Sequence, residues 1–225
     1  MMGFSKSRSD VTQWPNNRDA QASLNQFFDE IDPNGHYIPT LNGGGLDFTG
    51  ADLSCLELAG AELSSARLVG VRMRGTSLYS AWILQADLQR VDLSGADLRK
   101  ALITHCNAQH SVLTGATLSD TDFTASDLRG ADVHGTKLDD AFLHGTDLRG
   151  ADLRESSWGS IPRNAVLTNA RLGGAKVAAM TGDVSDIVDV GIDSPMPLGG
   201  SELQQWFADN GAPDVRVAVQ PDNGA

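Results

Sequence analysis

Every fifth residue from Phe48 to Trp158 is apolar, with no break in phase: Phe48, Leu53, Leu58, Leu63, Leu68, Met73, Leu78, Ile83 and onward through Leu143, Leu148, Leu153 and Trp158. Two residues before each stands a small or apolar residue, most often alanine, as at Ala51, Ala61, Ala66, Ala81, Ala86, Ala96 and Ala151. The 23 units share the form A-D-L-x-x, and a fixed period decides the fold before local propensity does. A helix needs apolar residues about every 3.6 positions and a strand about every 2. Five fits neither. It does fit a chain that points two residues inward and three outward in each unit, then turns a corner. None of the 46 inward positions is charged, in a chain that is 20% charged overall. Chance would place about nine charges there, so the pattern predicts a dry interior.

The flanks carry a different period. Leu24, Phe27, Phe28 and Ile31 are spaced as one face of a helix, with Asn16 or Asn17 to start it and Asp32-Pro33-Asn34-Gly35 to stop it. This predicts a hydrophobic lid on the first coil. Near the other end, Ser201-x-x-Gln204 has the form of a capping box. Leu203, Trp206 and Phe207 then share a helical face, Gly211 stops the helix, and Val215, Val217 and Val219 alternate like a short strand. Leu203, Trp206 and Phe207 could cap the last coil or pair with their copies in a dimer; both readings stand at this point. Once, after Trp158, the five-residue phase slips: Gly159 to Asn164 intervene, and Ala165-x-Leu167, Ala170-x-Leu172 and Ala175-x-Val177 resume offset by four. That is a loop inserted at a corner near 159–164. The chain thus divides into an N-terminal segment with a capping helix (1–45), a repeat region (46–177) and an acidic C-terminal segment with a short helix (178–225).

The repeat Asp52-Leu53, Asp97-Leu98, Asp132-Val133 and Asp152-Leu153, each preceded by alanine, resembles the pentapeptide repeat family. The resemblance covers about residues 46–177 and implies an all-β fold, a right-handed quadrilateral β-helix with four repeats per coil and short helical caps at both ends. At about 4.8 Å per coil, nearly six coils make a rod of about 28 Å. Such a solenoid presents long flat faces.

Composition narrows the function. No apolar run approaches the ~20 residues of a membrane span, and Met1 to Asp10 lacks the apolar core of a signal peptide; the expectation is a cytoplasmic protein. Cys106 takes an inward position and Cys55 an outward one two to three coils away, so no bridge is expected. Asp52, Asp87, Asp92, Asp97, Asp127, Asp132, Asp147 and Asp152 recur at one repeat position and are expected to stand in solvent. The five histidines show no metal-binding spacing, His105 and His144 being nearly two coils apart on one face. Gly43-Gly44-Gly45 lacks the lysine of a phosphate loop and reads as a plain turn, and no nucleophile or dinucleotide motif occurs. The expectation is therefore no catalytic residue, no metal, no cofactor and no enzyme.

Four repeats per coil stack outward residues twenty apart. One column then reads Trp82, Leu102, Asp122, Phe142, with Leu84 beside it and Tyr79 around the corner. Large apolar residues facing water mark an interaction surface, unless a terminal segment folds over them. Charge bears on the partner. Family resemblance implies, for its most specific members, acidic and usually dimeric rods that imitate DNA and protect DNA gyrase and other type II topoisomerases from an antibiotic or toxin. The net charge of −12 agrees, and it speaks against direct nucleic-acid binding. Yet residues 46–177 carry 16 acidic and 13 basic side chains, whereas 178–225 carry 8 and 1. Two functions follow: a gyrase- or topoisomerase-binding DNA mimic that dimerises through the C-terminal segment, or a scaffold or regulatory module docking a protein partner on the apolar column.

Overall fold

The computed structural model describes residues 7–32, 37–159, 165–184 and 187–217. Its body is a β-helix solenoid built from single-residue rungs. Up to Ser157, residue i pairs in parallel with residue i+20: Asp47 with Arg67, Arg67 with Asp87, Asp52 with Arg72, Glu57 with Ser77, Glu62 with Trp82. Four such ladders, five residues apart, give the coil four sides. The ladder begins earlier than the repeat pattern, at Asn42 paired with Glu62. Gly43-Gly44-Gly45 follows that rung and makes the first corner turn, as expected, with Leu46 N–H donating to Gly43 O at 3.1 Å. A side chain on Gly43 would meet the Phe48 ring at 2.7 Å, so the glycine makes room for that ring in the first coil.

Each corner is a four-residue turn. At most corners the carbonyl of the central residue accepts the N–H three residues on, as from Ala51 to Phe48 at 2.9 Å and Ala101 to Leu98 at 2.9 Å. The third turn residue adopts positive φ, which glycine takes without strain. Where glycine is absent the strained geometry persists, as at Ala125 with φ 58° and Lys100 with φ 61°.

The core holds Leu53, Leu63, Leu98 and Leu153 with their partners Ala51, Ala61, Ala96 and Ala151, all buried. Most of its polar members are short hydroxyls in the alanine position, several of which bond to carbonyls inside the coil: Thr121 Oγ1 to Leu98 O at 2.8 Å, Ser126 Oγ to Ile103 O at 2.6 Å, Thr146 Oγ1 to Phe123 O at 2.9 Å. Buried hydroxyls so paired cost little. The void along the axis near Phe123 and Trp158 is about 10 Å³, roughly the size of one water. The interior is filled.

Past the inserted residues the pairing step becomes 24: Phe142 with Val166, Asp147 with Arg171, Asp152 with Lys176, Ser157 with Thr181. Ala165 N–H still donates to Trp158 O at 2.8 Å. The corner is thus closed between Trp158 and Ala165.

Helix α1, Arg18–Glu30, starts at Asn17, whose side chain accepts the Ala20 N–H, and buries Ala20, Leu24 and Phe27. Ser23 Oγ donates to Asn42 O at 2.6 Å, and Gln13 bridges Asp52. The helix lies over the first coil, as its apolar face predicted; the stop expected at Pro33-Asn34-Gly35 lies outside the described residues. At the other end, strand β1 (Gly182–Val184) pairs in parallel with β4 (Val215–Val217), and β2 (Val188–Asp189) pairs antiparallel with β3 (Pro197–Leu198). Helix α2, Gly200–Asp209, buries Leu203 and Phe207. Gly211, with φ 84°, ends it, and its carbonyl accepts the Ala179 N–H at 2.8 Å.

The capping box does not form. Gly199 precedes the helix without a side-chain cap bond. Gln204 instead grips β4, donating to Val215 O at 2.6 Å and accepting from Val217 N–H at 2.8 Å. A side chain one turn into the helix serves the neighbouring strand because that strand's exposed backbone groups lack other partners. Val219 lies outside the described residues.

Candidate docking face

The aspartates that recur before the central leucine are structural. Each accepts the N–H two residues on, closing an Asx turn at the corner: Asp92 to Ser94 at 3.1 Å, Asp122 to Thr124 at 2.8 Å, Asp132 to His134 at 3.1 Å. They face outward and are set by the repeat, as expected, and a carboxylate held by its own turn is the physical reason for the residue type at that spacing. Several also hold the arginine two residues on. Asp97 binds Arg99 at 2.8 and 2.6 Å, Asp127 binds Arg129, Asp147 binds Arg149, and Asp152 binds Arg154 at 2.8 and 2.6 Å. The Arg154 guanidinium holds the Asp152 carboxyl down to about 2, aided by the Arg154 N–H and opposed by burial. Arg99 does the same for Asp97, in direction. Six acidic groups of the shaft, Asp52, Asp92, Asp97, Asp127, Asp147 and Asp152, therefore come with an arginine counter-charge.

One side departs from this. The ladder Asn42–Glu62–Trp82–Leu102–Asp122–Phe142–Val166 is continuous, confirming the stacking expected at twenty residues. Trp82 is 54% exposed and Phe142 47%, with Leu102, Leu84 and Val166 half-buried beside them. Tyr79, around the corner, is 37% exposed. Among the described residues, no terminal segment covers the column. Val166 was not anticipated; it joins the column only because the insertion shifts the count by four, and the offset of Leu167 carried that signal.

Charge separates the sides further. At the outward positions of this side, from Asn42 to Asn169, the sequence places Glu62 and Asp122 but no lysine or arginine. The described basic residues of the shaft, Arg67, Arg90, Arg129, Arg149 and Arg171 among them, stand on the other three sides. Lys100, at the adjoining corner, reaches back over the Tyr79 ring, 5.8 Å from its centroid, and Arg99 lies at 5.7 Å. At the foot of the side, Asp19, Ser23, Gln26, Phe27, Glu30 and Asn42 line a groove of about 300 Å³ between α1 and the first rung.

At the C-terminal end, Leu203 and Phe207 are buried in the hydrophobic core. Trp206 stays half-buried and lines a second groove with Val190, Ile192 and Met196, of which Ile192 and Met196 are exposed. Part of the C-terminal acidity is built in: Asp183 binds Arg216 at 2.7 Å, and Asp189 lies 3.4 Å from Arg171. Both cysteines are free, Cys55 exposed and Cys106 buried. Burial pushes the Cys106 thiol up to about 11, and its Sγ lies against Ile83 O. Among the described residues no three His, Cys, Asp or Glu side chains cluster to hold a metal, and no helix is long and apolar enough to cross a membrane.

A family model described as pentapeptide repeats, in eight copies, matches residues 45–78, 85–120 and 118–155. Among solved structures the chain is similar to trypsin-treated QnrB1, a plasmid-mediated fluoroquinolone resistance protein, at 20% identity over 64% of this chain and 70% of that one, with a TM-score of 0.45. It is similar to HetL, a pentapeptide repeat protein involved in heterocyst differentiation regulation from the cyanobacterium Nostoc sp. strain PCC 7120, at 24% identity over 70% and 91% of the two chains, TM-score 0.30. A pentapeptide repeat protein from the Arabidopsis thaliana thylakoid lumen is 27% identical over 44% and 69%, TM-score 0.28. No curated protein matches the chain in sequence. With the five-residue period, the twenty-residue ladders and the family model in agreement, the chain belongs to the pentapeptide repeat proteins.

Proposed function

We propose that this protein is a non-catalytic, protein-binding solenoid that docks a partner on the side bearing Trp82, Leu102, Phe142 and Val166. One observation carries the reading: four large apolar residues share a single outward ladder, and two of them are about half exposed. Nothing in the fold requires them there, since the same repeat position elsewhere holds aspartate or another polar residue. The coils are read as right-handed, as parallel crossovers of L-residue chains almost always are. The test is quantitative affinity capture from the native host with wild-type protein, a Trp82→Asn/Phe142→Asn variant and an Arg129→Ser/Arg149→Ser control. A partner lost only with the first variant supports the reading; identical partner sets for all three contradict it.

A second reading, protection of gyrase or another type II topoisomerase by DNA mimicry, is favoured by the net charge of −12. Dimerisation through Trp206, Ile192 and Met196 at the C-terminal end would lengthen the rod in support of it. The paired Asp–Arg groups along the shaft weigh against mimicry, because a DNA-like surface needs uncompensated negative charge. A gyrase supercoiling assay, with and without a quinolone, tests it. Inhibition or relief of poisoning at micromolar protein would favour it over the docking reading.

A further inference from the structure

We infer that the occupant of the apolar side is a basic amphipathic helix of another protein, lying along the rod axis. This rests on the docking reading above and names what docks. The backbone of the side is closed to strand addition. Trp82 N–H donates to Ala61 O at 2.8 Å, Leu102 N–H to Ala81 O at 2.9 Å and Phe142 N–H to Thr121 O at 2.9 Å. Their carbonyls accept in turn from Leu63, Ile83 and Phe123 at 2.7, 2.8 and 2.8 Å. A partner segment finds no free ladder here and must arrive with its own backbone satisfied, which a helix does.

The charge pattern sets the sign of that helix. Glu62 and Asp122 are the only Asp, Glu, Lys or Arg at the outward positions of the column, and Asp19 and Glu30 add two carboxylates in the groove at its foot. Asn42 belongs to both groove and ladder, so the acidic foot and the apolar column form one surface. Lys100, at the adjoining corner, is turned onto Tyr79. A second copy docking by the same side would bring no lysine or arginine to meet Glu62 and Asp122. A helix with lysine or arginine flanking an apolar stripe meets Glu62 and Asp122 with opposite charge. Trp82 to Phe142 is three coil steps, about 14 Å at the interstrand spacing. That is about ten residues of helix, enough for anchors at i, i+3 or i+4, and i+7.

The probe is a phage-displayed library of random peptides of about sixteen residues, long enough for four helical turns. It is selected on the full chain and counter-selected on Trp82→Asn/Phe142→Asn. The recovered peptides are expected to be net basic with apolar residues at helical spacing. Glu62→Gln/Asp122→Asn is expected to weaken a recovered peptide by about threefold or more at low salt, and by less at high salt. Neutral or acidic peptides, or affinity indifferent to those carboxylates, overturn the inference while leaving the docking reading intact. Recovery of no peptide that depends on Trp82 and Phe142 defeats the docking reading itself. A wild-type dimer in sedimentation velocity that the Trp82→Asn/Phe142→Asn variant dissociates would assign the side to a second copy and also overturn the inference.

Discussion

Asp122 and Phe142 are consecutive rungs of one ladder, and only Asp122 closes the turn that follows it. Its carboxylate accepts the Thr124 N–H at 2.8 Å; the phenyl ring of Phe142 has no acceptor to offer the equivalent N–H of His144. The exposed aromatic thus forgoes a bond that the fold uses in many other repeats. Phe142→Asn restores an acceptor without placing a second negative charge beside Asp122. The variant is expected to match or exceed wild-type stability, by up to about 1 kcal/mol, with the urea midpoint as readout. A loss of more than about 1 kcal/mol would mean that Phe142 supports the fold.

Ala125 is held at φ 58° with only a methyl group as side chain, a conformation in which the Cβ atom is strained. Glycine relieves it. Ala125→Gly is expected to raise stability by about 1 kcal/mol despite the added freedom of the unfolded chain. The same change at Ala96, a buried inward position, is expected to lower stability. Equal effects at the two sites would contradict this account of the corners.

Acid should unfold the rod through its paired carboxylates. Asp152 is held at about 2, first by Arg154, against about 3.9 in an unfolded chain. Between those values the unfolded state binds more protons, so stability rises with pH. The contribution is complete above about pH 5 and fades as the pH falls toward 2. The urea midpoint is expected to drop over that window, and Asp152→Asn is expected to flatten the drop. A midpoint unchanged from about pH 5 to 2.5 would count against the pairing.

The two thiols should differ sharply. Cys106 is buried with its thiol pushed up to about 11, while Cys55 is exposed. An aromatic disulfide reagent at neutral pH is expected to titrate one thiol in native protein and both in denaturant. Two fast equivalents in the native state would show that the coil around Cys106 opens.

Much of this was legible in the sequence because the period is a direct image of the coil. Phe48 to Trp158 marked the inward residues, Asn16 or Asn17 the helix start, and Trp82, Leu102 and Phe142 the outward column. Three features were less visible. Gly43 carries no apolar side chain, so the first rung did not register in a count of leucines. Gln204 matched a capping pattern by spacing alone, whereas its hydrogen bonds go to β4, a partner eleven to thirteen residues away in sequence. The aspartates looked like surface charge because an Asx turn leaves no trace in hydropathy. The absence of lysine and arginine from one side appears only when charges are counted per ladder rather than per chain.

The most direct test of the account is calorimetric titration of one library-derived helical peptide into three proteins: wild type, Trp82→Asn/Phe142→Asn and Arg129→Ser/Arg149→Ser. The account predicts an affinity loss of about tenfold or more for the first variant, from the two apolar anchors removed, and little change for the second. Equal affinity for all three, or a larger loss on removing the arginines, would contradict the claim that this protein binds through its apolar side.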